Sequence, residues 1–384
     1  MKKTNLLRAG AVLVGLSLVG VACGSSSDSA SDTTAAASSE APTCDNPVAA
    51  IGWQGAETGE AGNLGVPMIK GANLAIDEYN AENPDACVVL KKFDTQGDPA
   101  KAPAAAQAAI ADATVLGIIG PGFSGESNAA NPLYEEAGLV TVTGSATNAE
   151  LQNNGWKIFH RLLANDGKQG PAIGNYIKSV AKKPGVIDDA SDYGKGLADA
   201  VRETLGSAVA ASDTIDPKAA DFSAAVTKMK SAGVDYIFFG GYYGEAAKLA
   251  TQLKDGGVNA VFVAGDGVKD QAGFADAAGP AAEGALIGCP CKDGSEEFVA
   301  AWQAKYNETP GTYGAEYYDA TNVILAAIKG GAKDRAAVLA AVKATDMAGV
   351  TKQIKFAENG EATEGNIYLY QVKDGKITFL QEIK

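Results

Sequence analysis

The chain has 384 residues, with 32 Lys and Arg against 46 Asp and Glu, a formal charge of −14 and a single histidine. Such an acidic protein is a poor partner for nucleic acid and for anionic lipid surfaces. One histidine also excludes a metal centre built from several histidines. About 340 residues follow the N-terminal segment, more than one hydrophobic core comfortably holds, so we expect two lobes.

The first residues have the composition of an export signal. Three basic residues within the first eight precede an apolar run from Ala9 to Val21, which is too short for a permanent transmembrane helix. The motif Val21-Ala22-Cys23-Gly24-Ser25 resembles a bacterial lipobox, although Gly20 stands where leucine is usual. We therefore predict a signal peptide at residues 1–22, lipidation of Cys23 and anchoring to the outer face of the cell membrane. An ordinary secretory signal is the alternative.

Residues 23–43 contain no aromatic and no large aliphatic side chain, so we predict a flexible tether. No later apolar stretch approaches the roughly 20 residues of a transmembrane helix. Loss of the signal would leave 29 basic residues against 46 acidic ones, a formal charge of −17.

Four cysteines follow Cys23, and an oxidising compartment would allow them to form disulfides. The sequence alone permits three pairings. We favour Cys44 with Cys87, and Cys289 with Cys291. The second pair lies in Cys-Pro-Cys, which is tighter than the redox spacing Cys-x-x-Cys, so we interpret it as structural rather than catalytic.

Short apolar runs alternate with helical patterns, as in parallel sheets flanked by helices. The predicted strands lie at residues 48–52, 88–93, 115–119 and 139–143, then at 184–187, 208–215, 236–239 and 258–264. The sequence therefore predicts an α/β protein with two doubly wound, parallel-sheet lobes. The C-terminal region adds predicted helices at 296–306, 317–329 and 334–344 and strands at 367–372 and 377–381, which could belong to either lobe.

Loops that follow strands surround the ligand sites of open parallel sheets. One of them matches the dinucleotide motif G-x-G-x-x-G at Gly120, Gly122 and Gly125. We reject a dinucleotide, because an exported protein meets little of that cofactor and the next strand ends in a threonine rather than an acid. A helix that starts near Ser124 instead offers free N–H groups to a carboxylate, and Thr147 in the next loop could add a hydroxyl.

Catalytic groups are scarce. His160 lies beside an apolar run, and we predict that it is packed or on the surface rather than a catalytic base. Ser124 then has no plausible base for hydrolysis, and turn formation explains Asp94 and Asp98 better than calcium does. The sequence predicts no enzyme, no cofactor and no bound metal.

Many short segments, in order, are similar to those of the branched-chain amino-acid binding proteins of bacterial ABC importers. They are Gly71-Ala72-Asn73-Leu74-Ala75-Ile76, Phe93-Asp94, Gly97-Asp98-Pro99, Gly120-Pro121, Ser124, Ser145-Ala146-Thr147-Asn148, Gln169-Gly170-Pro171, Tyr193-Gly194-Lys195-Gly196-Leu197, Asp221-Phe222-Ser223, Gly240-Gly241-Tyr242-Tyr243 and Ala282-Glu283-Gly284. The resemblance implies the type I periplasmic-binding-protein fold, in which two lobes joined by a three-stranded hinge close on an amino acid. Lobe 1 would comprise residues 44–165 and 292–366, and lobe 2 residues 166–291 and 367–384.

The resemblance also implies the function and the site. The protein would bind leucine, isoleucine or valine and deliver it to a membrane permease, and we expect a monomer. Ser124 and Thr147 would hold the ligand carboxylate, with backbone groups of Ser145 beside them. Asp266, where the family often has glutamate, would hold the ammonium. Further contacts would come from Tyr193, Tyr242 and Tyr313.

Leu64 departs from the family pattern, because several relatives have an aromatic ring at this place over the ligand side chain. Asp266 is shorter than glutamate by one methylene. Binding of amides, urea or aromatic acids therefore stays an alternative, as does a ligand sensor of the same fold.

Overall fold

Residues 44–384 are described by the computed structural model of the protein. The predicted signal peptide, the lipidation site Cys23 and the tether up to residue 43 lie outside this range. Within it, no helix is both long and apolar enough to cross a membrane.

Strands and helices alternate along the described chain, as the sequence predicts. The strands are β1 (Ala49–Gly55), β2 (Val88–Asp94), β3 (Val115–Ile119), β4 (Thr141–Thr143), β5 (Phe159–Arg161), β6 (Pro184–Asp188), β7 (Ala211–Thr214), β8 (Tyr236–Gly240), β9 (Val261–Ala264), β10 (Leu286–Cys289), β11 (Asp346–Ala348), β12 (Gln353–Lys355), β13 (Ile367–Lys373) and β14 (Lys376–Ile383). The α-helices are α1 (Gly62–Glu82), α2 (Ala102–Ala111), α3 (Ser124–Ala137), α4 (Asp166–Val180), α5 (Asp192–Leu205), α6 (Ser223–Ala232), α7 (Tyr243–Asp255), α8 (Glu296–Tyr306), α9 (Gly314–Lys329) and α10 (Arg335–Lys343).

The first lobe is built on a parallel sheet with the strand order β2-β1-β3-β4-β5. All seven residues of β1 are buried, as expected for a central parallel strand that is covered on both faces. Helices α9 and α10 come from the C-terminal part of the chain and pack on this sheet at β3.

The second lobe has a seven-stranded sheet in the order β14-β13-β10-β9-β8-β6-β7. Its five parallel strands repeat the arrangement of the first lobe, because β7-β6-β8-β9-β10 corresponds to β2-β1-β3-β4-β5. Strand β13 pairs antiparallel with both β10 and β14, so this sheet is mixed rather than wholly parallel. The prediction of two α/β lobes is confirmed.

The chain passes between the two sheets three times, at residues 162–165, 290–295 and 356–366, which we call the connecting segments. Buried Arg161 precedes the first segment and pairs with Glu361 of the third. Its guanidinium also donates to the carbonyl oxygens of Ala146 (3.0 Å) and Asn148 (2.7 Å). One cation therefore ties a connecting segment to the loop that follows β4.

Two disulfides are present. Cys44 is bonded to Cys87, with a Cα–Cα distance of 5.8 Å, which joins the start of the described chain to the residue before β2. Cys289 is bonded to Cys291, at the point where β10 enters the second connecting segment.

Helices α1 and α9 approach each other closely at Gly71. A Cβ atom at Gly71 would lie 2.1 Å from the carbonyl oxygen of Gly314. Glycine is therefore required at this position for a steric reason, since the neighbouring atom belongs to a backbone and cannot rotate away.

We predict that Gly71→Ala lowers the free energy of unfolding by about 1–3 kcal/mol, the usual range for overpacking. Urea unfolding followed by circular dichroism measures the effect. Gly244→Ala in α7 is the matched control, because a Cβ atom there meets nothing within 4 Å. It should leave stability unchanged or raise it by up to about 1 kcal/mol. Equal stability of the two variants would contradict the packing argument.

Candidate functional site

A cavity between the two lobes lies at the carboxyl ends of strands from both sheets. In each sheet the strand order reverses direction at one point. This point lies between β1 and β3 in the first lobe and between β6 and β8 in the second. Open parallel sheets bind their ligands at such switch points. About 230 Å³ of space in this cavity, including solvent at its mouth, is not filled by protein atoms. It is lined by Leu64, Gly122, Phe123, Ser124, Ser145, Tyr193, Tyr242, Asp266, Gly267 and Tyr313.

The structure brings seven of the eight predicted ligand contacts together in this lining. They are Leu64, Ser124, Ser145, Tyr193, Tyr242, Asp266 and Tyr313. The eighth, Thr147, lies two residues after Ser145 but outside the lining. Its hydroxyl is buried beside the carboxylate of Asp166 and makes no hydrogen bond of good geometry within residues 44–384.

Asp266 is the polar centre of the cavity. Its carboxylate accepts hydrogen bonds from the hydroxyl of Tyr193 (2.8 Å), from Nε2 of Gln169 (2.6 Å) and from the hydroxyl of Tyr313. Tyr313 belongs to the first lobe and has a left-handed backbone with φ of 67°, which is unusual for an aromatic residue. A carboxylate offers about four acceptor positions, so one position is left for a ligand.

The environment of Asp266 is unfavourable to a charge. Only 1% of the residue is exposed, and burial raises the pKa of its carboxyl above the usual value, while the three donors oppose this change. A positively charged ligand group would lower that pKa again, because it favours the ionised form. The surroundings of Asp266 therefore favour a ligand group that is positively charged.

A second buried carboxylate, that of Asp166, lies close enough to Asp266 for their charges to interact. Asp166 is the first residue of α4, and within residues 44–384 its oxygens make no hydrogen bond of good geometry, although the hydroxyl of Thr147 lies close enough to stabilise the charged form. Burial and the charge of Asp266 raise the pKa of Asp166 well above its usual value. The sequence analysis missed Asp166, because an acid at the start of a helix has an ordinary explanation in the helix dipole.

The opposite wall is formed by the start of α3 and the loop after β4. Ser124 is the first residue of α3, and its hydroxyl accepts a hydrogen bond from the N–H of Asn148 (3.2 Å). The hydroxyl of Ser145 donates to the carbonyl oxygen of Gly122 (2.6 Å) and lies 3.0 Å from the hydroxyl of Tyr317. These bonds fix the two loops against each other, and the N–H groups of the first turn of α3 lie beside the cavity.

Glu126, in the same first turn, was also missed by the sequence analysis. The residue is fully buried, and its carboxylate accepts a hydrogen bond from Thr95. Burial raises the pKa of Glu126 to about 7. Below this pH the side chain is neutral, so it repels an anion at the start of α3 less than it does at higher pH.

The rest of the lining is apolar. Leu64 is 1% exposed, and the ring of Phe123 meets that of Tyr242 edge to face, with centroids 5.7 Å apart. Tyr242 in turn lies 5.1 Å from the ring of Tyr193. One side of the cavity therefore presents an apolar surface.

Hydrogen bonds between the lobes surround the cavity. Asn63 donates to Asp270 (3.0 Å), and Asn128 donates to Asp192 (3.2 Å). The hydroxyl of Tyr243 also donates to the carbonyl oxygen of Glu60. The lobes are thus closed on the cavity.

His160, the one histidine of the sequence, is packed in the core at 2% exposure. Its Nδ1 lies 2.9 Å from the carbonyl oxygen of Ile158, and burial lowers the pKa of its ring to about 4. It does not line the cavity, so it offers Ser124 no base.

Comparison with known proteins agrees with this geometry. Residues 49–376 match the family model described as periplasmic binding protein. A leucine-, isoleucine-, valine-, threonine-, and alanine-binding protein of Pseudomonas aeruginosa is 30% identical over 333 residues, which cover 84% of this chain and 89% of the relative.

Two solved structures have the same fold. One is the branched-chain amino acid transporter substrate binding protein LivJ of Streptococcus pneumoniae in complex with isoleucine, with 30% identity, a TM-score of 0.80 and coverage of 87% of this chain and 99% of that chain. The other is the leucine binding protein LivK of Thermotoga maritima, with 28% identity, a TM-score of 0.80 and coverage of 88% and 99%.

These relatives are binding proteins and not enzymes, and the family implies a location outside the cytoplasm. The family model matches more than four fifths of the chain, and the solved relatives have the same two-lobed α/β architecture. The chain therefore belongs to the periplasmic binding protein family.

Proposed function

We propose that the protein is the substrate-binding component of an ABC importer and captures leucine, isoleucine or valine between its lobes. The observation that carries this proposal is the buried carboxylate of Asp266, which faces a cavity with a helix start on one wall and apolar side chains on another. An α-amino acid with an aliphatic side chain has three groups that match these three surfaces. The names of the relatives from Pseudomonas aeruginosa and Streptococcus pneumoniae support the same ligand class.

The ligand carboxylate is assigned to the wall formed by the start of α3. Free N–H groups and the positive end of the helix dipole favour an anion there. Ser124 and the backbone at Ser145 stand beside this helix start. The hydroxyl of Thr147 is a further donor if the loop shifts when the ligand binds.

The ligand ammonium is assigned to Asp266. Asp166 does not line the cavity, but its charge interacts with that of Asp266, so an ammonium beside Asp266 would offset the repulsion between the two carboxylates. Burial of these groups would make each of the charge interactions stronger than it is at the surface.

Delivery to a membrane permease, lipid anchoring at Cys23 and a monomeric state complete the proposal. They rest on the N-terminal sequence and on the resemblance to importer components. A lipid anchor would hold the binding lobes close to the permease, and the residues of the tether would give them reach.

We predict that Asp266→Asn weakens the binding of leucine by about 2–5 kcal/mol, the range for removing one partner of a buried charged hydrogen bond. Isothermal titration calorimetry measures the loss. Ser124→Ala should cost less, because the N–H groups of α3 remain.

Affinity for leucine should also fall as the pH is lowered through the raised pKa of Asp266, since the neutral carboxyl no longer attracts the ammonium. Asp266→Asn should flatten this pH dependence.

The control ligand is 4-methylpentanoate, which is leucine without its amino group. It should bind poorly to the parent protein, where Asp266 would face no cation, and lose little more in Asp266→Asn. Equal affinity of the parent for leucine and for this analogue would remove Asp266 as the ammonium ligand and, with it, the main reason to name an amino acid.

A second prediction follows from Leu64. Because an aliphatic side chain stands where several relatives have an aromatic ring, leucine and isoleucine should bind more tightly than phenylalanine. A thermal-shift series with the three amino acids at one concentration provides the ranking, since a ligand at 100 times its Kd stabilises by about 2.7 kcal/mol. A larger shift with phenylalanine would reverse the assignment of the apolar wall.

The anchor is tested separately. Cys23→Ala should release the protein from the membrane fraction of the bacterium without changing its affinity for leucine, because the substitution lies outside the lobes. Immunoblots of membrane and soluble fractions measure the distribution. Ser25→Ala, which keeps Cys23, is the matched control. Continued membrane retention of Cys23→Ala would contradict lipidation at this position.

A further inference from the structure

A second cavity lies at the connecting segments and shares no lining residue with the cavity between the lobes. We call it the hinge cavity. About 450 Å³ of space in this cavity and at its open mouth is not filled by protein atoms. Its polar side chains are those of Lys292, Glu316, Thr351, Lys352, Glu364 and Asn366. Two connecting segments supply three of them.

Glu316 has an unsatisfied acceptor in this cavity. The residue is 2% exposed, and its Oε1 accepts a hydrogen bond from the N–H of Lys292 (3.0 Å). Its Oε2 is buried without a hydrogen-bond partner anywhere in residues 44–384. Burial raises the pKa of Glu316 to about 7. Buried polar atoms almost always have a partner, so this oxygen calls for a donor from outside the chain.

Lys352 provides the opposite charge. Burial lowers the pKa of its ammonium, and the attraction of Glu316, Asp319 and Glu364 does not make up for the lost hydration. Lys292 adds a second cation at the mouth, 6.0 Å from the ring of Tyr368. The cavity therefore has an underpaired cation as well as an underpaired acceptor.

The two groups are held on rigid supports. Glu316 is on α9, and Asp319, one turn later, accepts hydrogen bonds from the N–H groups of Val350 (2.8 Å) and Thr351 (3.0 Å) and from the hydroxyl of Thr351. The carboxylate of Asp319 thus fixes the loop that carries Lys352 to the helix that carries Glu316. Such fixed spacing is what a site for a small polar ligand requires.

We propose that the hinge cavity is a second binding site, for a small zwitterion of the amino-acid class, with its ammonium on Glu316 and its carboxylate on Lys352 and Lys292. A simple anion would face Glu316 and Glu364, and a simple cation would face two lysines, so a ligand with both charges fits best. In the described part of the chain, no group of three acidic, histidine or cysteine side chains could hold a metal ion here.

A ligand in the hinge cavity should change the affinity of the cavity between the lobes for its own ligand. Tyr317, next to Glu316 on α9, contacts Ser145, and a Cβ atom at Gly144 would lie 3.0 Å from the Cβ of Glu316. The walls of the hinge cavity also belong to segments that join the lobes. A ligand that prefers one lobe arrangement shifts its population, and the coupling between the two sites must be reciprocal.

The test is calorimetric titration of the full chain with glycine, alanine, serine and glutamine, with and without saturating leucine. We expect at least one of these to bind at one equivalent per chain even when leucine is present. Glu316→Gln and Lys352→Met should each weaken that binding at least tenfold. Asp266→Asn should change it by less than threefold.

The matched controls are Glu358→Gln and Lys373→Met, two exposed residues outside both cavities. They should leave all binding unchanged, and thermal melts check that every variant folds. If Glu316→Gln is unfolded, Lys352→Met alone decides. Two outcomes overturn the proposal. Either no amino acid of the panel binds, or the binding is not weakened by the Glu316 or Lys352 substitution. Failure of leucine to bind the parent would instead count against the proposed function, because the titrations without leucine still report on the hinge cavity.

Discussion

A carboxylate in a protein interior must be surrounded by donors or lose its charge, and Asp266 is surrounded by donors from both lobes. Tyr193 and Gln169 hold it from the second lobe, and Tyr313 reaches it from the first. This single group therefore joins the lobes through the interior of the cavity, while the bonds at the rim join them outside. The proposed placement of the ligand ammonium and the bond that Tyr313 makes between the lobes both involve this carboxylate.

The first turn of α9 links the features of the molecule that matter for binding. Tyr313 enters the cavity between the lobes, Glu316 enters the hinge cavity, and Tyr317 contacts Ser145 in the loop after β4. The same helix packs against α1 at a glycine contact that leaves no space for a side chain. Because a helix moves as a rigid element, a displacement at any of these points is transmitted to the others.

The sequence predicted the two lobes and most of the cavity lining, because strand ends, glycine loops and family-like segments are local signals. Among the strands of the two large sheets it missed β5 and β10, which have three and four residues and pair only because their neighbours are already in place, and it also missed the short pair β11 and β12. It also missed Asp166 and Glu126, since an acid near a helix start is usually exposed and helps the helix dipole. Burial of both acids comes from tertiary packing, which no local pattern records.

The hydrogen bonds between the lobes also bear on the timing of binding. Asn63, Asn128 and Tyr243 bond one lobe to the other, so the lobes open to release a ligand only when these bonds break. The rate of release cannot exceed the rate of lobe opening, a motion of the microsecond to millisecond class. Residence time would then be adjusted by substitutions at the rim that never touch the ligand.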